Sequence, residues 1–215
     1  MGFVLNEQRA AFNLVLKLQP AHLQSIRDHL LSLGADDRYL RFGMPATDDF
    51  IHRYVDGFDF TRDCFFGVTN SRLEMIGLAH LAYSDNPATP HTAEFGVSVT
   101  EGGRGFGVGT SLFKRSAIHA RNTGITVLYV HCLSTNAAMM HIARKAGMTV
   151  EYAYGEADAF LTLPPGDPQS ISLEVLQDQS AQFDYKMKEH LKRVLTSQAR
   201  LFRFGFQSFR LQHQL

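Results

Sequence analysis

The residues of this chain best suited to chemistry lie in three short stretches. The first, Arg104-Gly105-Phe106-Gly107-Val108-Gly109-Thr110, is a glycine-rich turn ahead of a helical pattern. Backbone N–H groups of such a turn point outward at a helix N-terminus, where the helix dipole adds partial positive charge, so it can cradle phosphate. The alternative is a tight strand-to-helix turn with no ligand. Spacing excludes two common phosphate loops. Leu112 stands where the dinucleotide pattern G-x-G-x-x-G needs its third glycine, and no Gly-Lys-Ser/Thr closes the loop as a P-loop requires. The second stretch, Ala93 to Val99, reads as a strand with Phe95, Val97 and Val99 on one face and Glu94, Gly96 and Ser98 on the other. The third is Ser134-Thr135-Asn136, any of which can cap the helix that follows.

Several elements must position these stretches. Ala11 to Leu18 reads as a first strand, and Pro20 suits the first turn of a helix carrying Leu23, Ile26 and Leu30. Residues 34–45 break that helix and hold an aromatic-basic cluster. Asp48 to Phe58 reads as a second helix. Cys64 to Thr69 and Leu73 to Tyr83 read as a hairpin about Asn70-Ser71-Arg72. After the glycine turn a helix runs to about Asn122, with Gly124 at its C′ position. Ile125 to Leu133 is almost continuously apolar, as a strand buried on both faces would be. A helix with Met139, Ile142, Ala143 and Ala146 on its apolar face ends at Gly147, and strands are expected at Thr149 to Tyr154 and Ala159 to Leu163.

Pro164 to Pro168 is the strongest boundary signal. It divides an expected domain over 1–165 from an extension over 166–215. In the extension Phe183, Met187, Leu191, Val194 and Leu195 recur at helical spacing, and 202–206 (FRFGF) alternate as a strand does. That amphipathic helix wants a partner surface, either its own domain or a second copy in a homodimer. The order of elements makes the chain α/β or α+β with one central sheet.

Composition narrows the function classes. The 215 residues carry 21 Lys+Arg against 21 Asp+Glu, so a basic excess of the kind that marks nucleic-acid binders is missing. A 45% hydrophobic and 20% charged composition is that of a folded protein rather than a disordered one. Cys64 and Cys132 make no disulfide framework, and no Cys/His spacing calls for a metal. The opening Met1-Gly2-Phe3-Val4-Leu5-Asn6 has no basic segment before an apolar run, and no long apolar run follows. No membrane association and a cytoplasmic location are expected.

The spacing Arg104-Gly105-Phe106-Gly107-Val108-Gly109 resembles the Arg/Gln-x-x-Gly-x-Gly/Ala loop of the GNAT acetyltransferase superfamily. The context agrees: a strand ending Val97-Ser98-Val99 precedes it, and Asn136 to Gly147-Met148 is similar to the second motif, with Met148 for Phe. The resemblance spans about residues 11–163. Arg38-Tyr39-Leu40-Arg41-Phe42, Ala93-Glu94-Phe95 and Ala143-Arg144-Lys145-Ala146-Gly147 look most like the acetyltransferase domain of bacterial protein-lysine acetyltransferases. The resemblance implies a mixed sheet splayed at its fourth and fifth strands, and acetyl-CoA as co-substrate. It also implies an amine acceptor, either a small molecule or a protein lysine. It places the pyrophosphate at Arg104, Gly105, Gly107, Val108, Gly109 and Thr110. The pantetheine arm falls to Val97, Val99 and Asn136, and the general-base role to Glu94. Each has a plainer reading: a surface ion pair for Glu94, core for both valines, a solvated arginine for Arg104. Ala143 departs from the pattern, because many members carry a tyrosine acid there. Either a thiolate leaves without help, or Tyr129, Tyr152 or Tyr154 donates, or the domain is a non-catalytic acyl-CoA-binding module.

Overall fold

The computed structural model describes residues 13–211, and from residue 197 onward the backbone alone. Seven strands form one sheet in the order β1-β2-β3-β4-β5-β7-β6. They are β1 (Leu16–Lys17), β2 (Cys64–Thr69), β3 (Met75–Tyr83), β4 (Thr92–Val99), β5 (Val127–Leu133), β6 (Thr149–Ala153) and β7 (Glu156–Thr162). Every neighbouring pair is antiparallel except β4 and β5, which are parallel. The helices are α1 (Leu23–Leu31), α2 (Ala35–Phe42), α3 (Asp48–Asp56), α4 (Val108–Asn122), α5 (Ala137–Ala146) and α6 (Pro168–Leu211).

Strand alternation sends side chains to two cores. Phe66, Leu81, Phe95, Leu128 and Val130 pack with Leu112 of α4 and Ile142 of α5. Phe65 and Leu78 pack on the other face with Ile26 and Leu30 of α1 and Ile51 and Val55 of α3. Phe65 and Phe66 are both fully buried, so β2 is covered on both faces, each ring contributing about 2–3 kcal/mol of transfer free energy. The apolar run at 125–133 predicts this for β5, and the structure corrects it. Only Leu128, Val130 and Cys132 are buried there, while Tyr129 is partly exposed and His131 exposed. The second core takes its strand residues from β1, β2 and β3 and none from β5.

Local signals explain most boundaries. Thr47 Oγ1 accepts from the Phe50 N–H and starts α3, and Asn136 Oδ1 accepts from the Met139 N–H and starts α5. Leu73 adopts a left-handed backbone, φ 63°, so β3 begins at Met75 rather than at Leu73. Ala11 and Phe12 of the expected first strand lie outside the described residues, and what is described is the two-residue β1. Residues 34–45 are not simply a break. Gly34 precedes α2, a helix with no buried residue, which apolar periodicity cannot reveal. Polar contacts hold it: Arg38 donates to the carbonyls of Leu31, Leu33 and Ala46 and pairs with Asp48 at 2.7 Å.

The extension is one helix, with Asp167 and Ser170 exchanging backbone and side-chain hydrogen bonds at its start. Its backbone stays helical through 202–206, against the strand period of FRFGF. Near its start it docks through polar side chains, and further on Ala181 and Tyr185 pack into the second core. Glu174 accepts from Arg115 at 3.0 Å, His119 at 2.6 Å and Asn122 at 2.7 Å, and Asp178 accepts from Arg115 at 2.6 Å. Phe183, Met187 and Leu191, expected to seek either the domain or a second copy, face outward at 69%, 46% and 55% exposure.

Burial alone would raise the Glu174 carboxyl, but the hydrogen bonds from His119 and Asn122 and the charges around it hold it at about 2, against 4.5 unfolded. A depressed carboxyl stabilises above its unfolded value and stops doing so as pH falls toward its folded one. Glu174→Gln, which leaves the buried Arg115 half-paired, is expected to cost about 3 kcal/mol at pH 7 in chemical denaturation. The difference between wild type and variant should shrink as pH falls from about 5 to about 2.

Candidate active site

The β4–β5 ladder is short. Thr92 pairs with Val127, Ala93 with Leu128 and Glu94 with Tyr129, and there the pairing ends. Both strands run on, β4 to Val99 and β5 to Leu133, and diverge. Between them opens a cleft of about 1660 Å³, lined by β4 from Glu94 onward, by α2, and by the starts of α4 and α5. Backbone groups of β4 that a neighbouring strand would satisfy face this space instead.

One end of the cleft is the glycine turn. Gly105 and Gly107 have φ of 76° and 71°, the left-handed region that a side chain makes costly. Gly107 is the N-cap of α4 and has no side chain to cap it, so the first-turn N–H groups of Val108, Gly109 and Thr110 are left for another acceptor. Lys114 and Lys145 also line the cleft. Arg104 points to Asp37 of α2 and pairs with it. Asn136 is split between two tasks: Oδ1 caps α5 and Nδ2 donates to the Leu40 carbonyl at 3.5 Å.

The other end lies on the sheet face below α2 and α3. Glu94 is exposed and has no ion pair among the described residues. Its strand neighbour Tyr129 donates to Asp158 at 2.7 Å, and His131 Nδ1 donates to the same oxygen at 2.7 Å. Burial first, then that hydrogen bond, pushes the Tyr129 hydroxyl up, while Asp158 raises His131. Tyr152 is 66% exposed on the edge strand β6, and Tyr154 sits fully exposed in the β6–β7 turn. None of the three tyrosines lines the cleft. Ala143 is fully buried in the first core.

Ser98 is buried because His29 of α1 reaches it. His29 Nδ1 donates to the Met75 carbonyl at 2.9 Å, so Nε2 is left to accept from Ser98 Oγ at 2.8 Å. Desolvation pushes His29 down to about 4, which keeps that ring neutral at pH 7. The bond ties the unpaired stretch of β4 to α1.

The family model described as Acetyltransferase (GNAT) family matches residues 29–148, more than half of the chain. The chain belongs to the GNAT acetyltransferase family. It is by class an N-acetyltransferase, and the family's acyl donor is acetyl-CoA. The GNAT domain of S. lividans PAT is similar to it at a TM-score of 0.60 and 21% identity, over 69% of this chain and 89% of that one. So is the ribosomal-protein-alanine N-acetyltransferase from Brucella melitensis, at 0.56 and 16%, over 70% and 99%. So too is the spermidine N-acetyltransferase from Vibrio cholerae in complex with CoA and spermine, at 0.54 and 17%, over 69% and 94%. At these identities the likeness is one of fold. No curated protein matches the chain.

This GNAT chain therefore has the mixed sheet splayed at β4 and β5 that the motifs imply. The structure brings Glu94, Val97, Val99, Arg104, Gly105, Gly107, Val108, Gly109, Thr110 and Asn136 to one cleft. Val97 and Val99 line the cleft and also pack on the first core, which is their plainer reading. Sequence reasoning missed Asp37 as the partner of Arg104 and His29 as the anchor of Ser98.

A histidine held down in the folded state stabilises above its unfolded value and loses that as pH falls toward the folded one. His29 titrates at 6.5 unfolded and about 4 folded, a loss of about 3 kcal/mol between pH 7 and 4. His29→Gln is expected to flatten the stability profile in that window, measured by denaturant titration at each pH.

Proposed function

We propose that this chain transfers the acetyl group of acetyl-CoA directly to a primary amine, of a small molecule or a protein lysine, with Glu94 as general base. One observation carries the reading. Glu94 stands, exposed and without an ion pair, where the β4–β5 ladder opens, in the same cleft as the uncapped N-terminus of α4.

The parts fit the donor's chemistry. The N–H groups of Val108, Gly109 and Thr110 suit a pyrophosphate, as does the left-handed backbone of Gly105 and Gly107. Arg104 joins them by exchanging Asp37 for phosphate. The open edge of β4 at Val97 and Val99, with Asn136 across from it, suits the amide-bearing pantetheine arm. A backbone N–H of the same edge can polarise the thioester carbonyl.

A lysine-like amine with pKa ~10.4 is neutral in only ~1 in 2,500 molecules at pH 7, a deficit of roughly 4.6 kcal/mol. Glu94 takes a proton from the amine, a role typically worth ~10²–10⁴-fold. The amine nitrogen then bonds to the carbonyl carbon, the carbon–sulfur bond breaks, and the electron pair leaves on sulfur. A thiol has pKa ~8.5, so the thiolate leaves without a donor at the position that Ala143 occupies. Two free, buried thiols, Cys64 and Cys132, support action in a reducing, cytoplasmic setting.

Glu94→Gln is expected to cut kcat by at least ~10²-fold while leaving acetyl-CoA affinity within a factor of about two, by calorimetry. Unchanged turnover would remove Glu94 from the chemistry. Binding without turnover in wild type, over a wide amine panel, would make the chain an acyl-CoA-binding module. Arg104→Ala should weaken acetyl-CoA about tenfold, and NADH should not bind to either protein.

A further inference from the structure

The cleft holds a cation that the reaction above does not use. Arg41, in the last turn of α2, lies over the backbone of Gly96 on β4. A Cβ at Gly96 would sit 2.6 Å from its Nη2 and 2.8 Å from its Cζ, so the glycine leaves the space that the guanidinium fills. A guanidinium has five N–H donors. One, on Nη2, donates to the Tyr54 hydroxyl at 3.2 Å, and no carboxylate among the described residues pairs with Arg41. The other contact is the Phe42 ring, 5.3 Å from Cζ.

A chain of hydrogen bonds aims it. Asp63 is buried and accepts from His80 Nε2 at 2.8 Å, so His80 Nδ1 must accept, and does so from the Tyr54 hydroxyl at 3.2 Å. That leaves the Tyr54 oxygen to accept from Arg41. Tyr54 is itself wedged among the rings of Phe42, Phe50 and Phe58. Every member between Arg41 and Asp63 is committed in one direction, and the charge at the cleft end stays uncompensated. A partly buried guanidinium with open donors pairs strongly with a carboxylate, often through two parallel hydrogen bonds.

The second charge of the face is two residues away. Gly96 and Glu94 point to the same side of β4, about 7 Å apart along the strand. Beyond Glu94 the face continues through His131 to Glu156. The acceptor side thus carries a cation at the α2 end and carboxylates at the β5–β7 end. An amine that carries its own carboxylate matches both, with one hydrogen bond at each end of a short zwitterion. A polyamine would meet Arg41 with like charge, and a lysine side chain would leave it unpaired.

We infer that Arg41 is the carboxylate-binding residue of the acceptor site and that the acceptor is an α-amino acid, held by its carboxylate at Arg41 with its amine at Glu94. This rests on the acetyl-transfer reading above and deepens it. The amine nitrogen bonds to the acetyl carbon, the carbon–sulfur bond breaks, and the products are an N-acetyl amino acid and the CoA thiol.

The test compares the twenty α-amino acids with their carboxamides, alongside spermidine and a lysine-containing peptide, on the full chain with acetyl-CoA binding measured on each sample. Wild type is expected to favour at least one amino acid over its carboxamide by at least ~30-fold in kcat/KM, because the carboxamide leaves the partly buried guanidinium without a carboxylate partner. In Arg41→Gln that ratio should fall toward one, through a rise in KM for the acid, and in Arg41→Lys it should fall partway. The wild-type ratio needs no variant to fold. A ratio near one in wild type overturns the inference, as does turnover confined to spermidine or the peptide. Equal losses on acid and carboxamide in Arg41→Gln do the same and place Arg41 at the thioester. In these three cases acetyl transfer stands. Bound acetyl-CoA with no amine acetylated overturns both readings.

Discussion

Everything in this site depends on a ladder that stops. In a sheet, each strand's backbone groups are satisfied by its neighbours, and leaving them open in the interior is expensive. Here β4 and β5 pair over three residues and then part, so β4 reaches Val99 with one edge open. The cost is tolerable only if the strand is held by other means and if something polar comes to the edge. The first condition is met by β3, which pairs with β4 from Ala93 to Val99, and by the His29–Ser98 bond from the helix layer. The second is what an amide-rich, phosphate-bearing co-substrate supplies.

The same divergence decides where charge sits. The glycine turn follows β4 directly, so the uncapped end of α4 falls at the mouth of the gap. Glu94 is the last residue of β4 paired with β5 and stands at the opposite end. A donor that needs positive charge and an amine that needs a base are thus kept apart by the length of five strand residues. The helix α2 lies across that interval and touches both ends, through Asp37 at Arg104 and Arg41 at Gly96.

What the sequence made legible were the parts whose partners are near in the chain. The glycine turn, a cap within 134–136 and the alternation of β4 are set by residues a few positions apart; the structure shows the turn and the alternation, and of the three candidate caps it selects Asn136. The contacts between distant residues were not legible. Asp37 and Arg104 are 67 positions apart, and His29 and Ser98 are 69. No local pattern ties such pairs. Two other differences have their own cause. Tyr129 and His131 carry enough apolar surface to extend a run of hydropathy while their polar ends face the open side of the sheet. The spacing of Phe183, Met187 and Leu191 marks an apolar stripe but does not say which side of α6 docks, and carboxylates near the helix start decided it.

That polar docking changes what the proline-rich segment at 164–168 means. By composition it separates one unit from another. Energetically it does not, because Arg115 is buried in the sheet-and-helix unit and both of its carboxylate partners lie beyond the segment. A chain cut there would retain all seven strands and most of both cores, yet lose both ion pairs of Arg115 and the helix that covers it. The long helix is an annex in topology and part of the foundation in electrostatics.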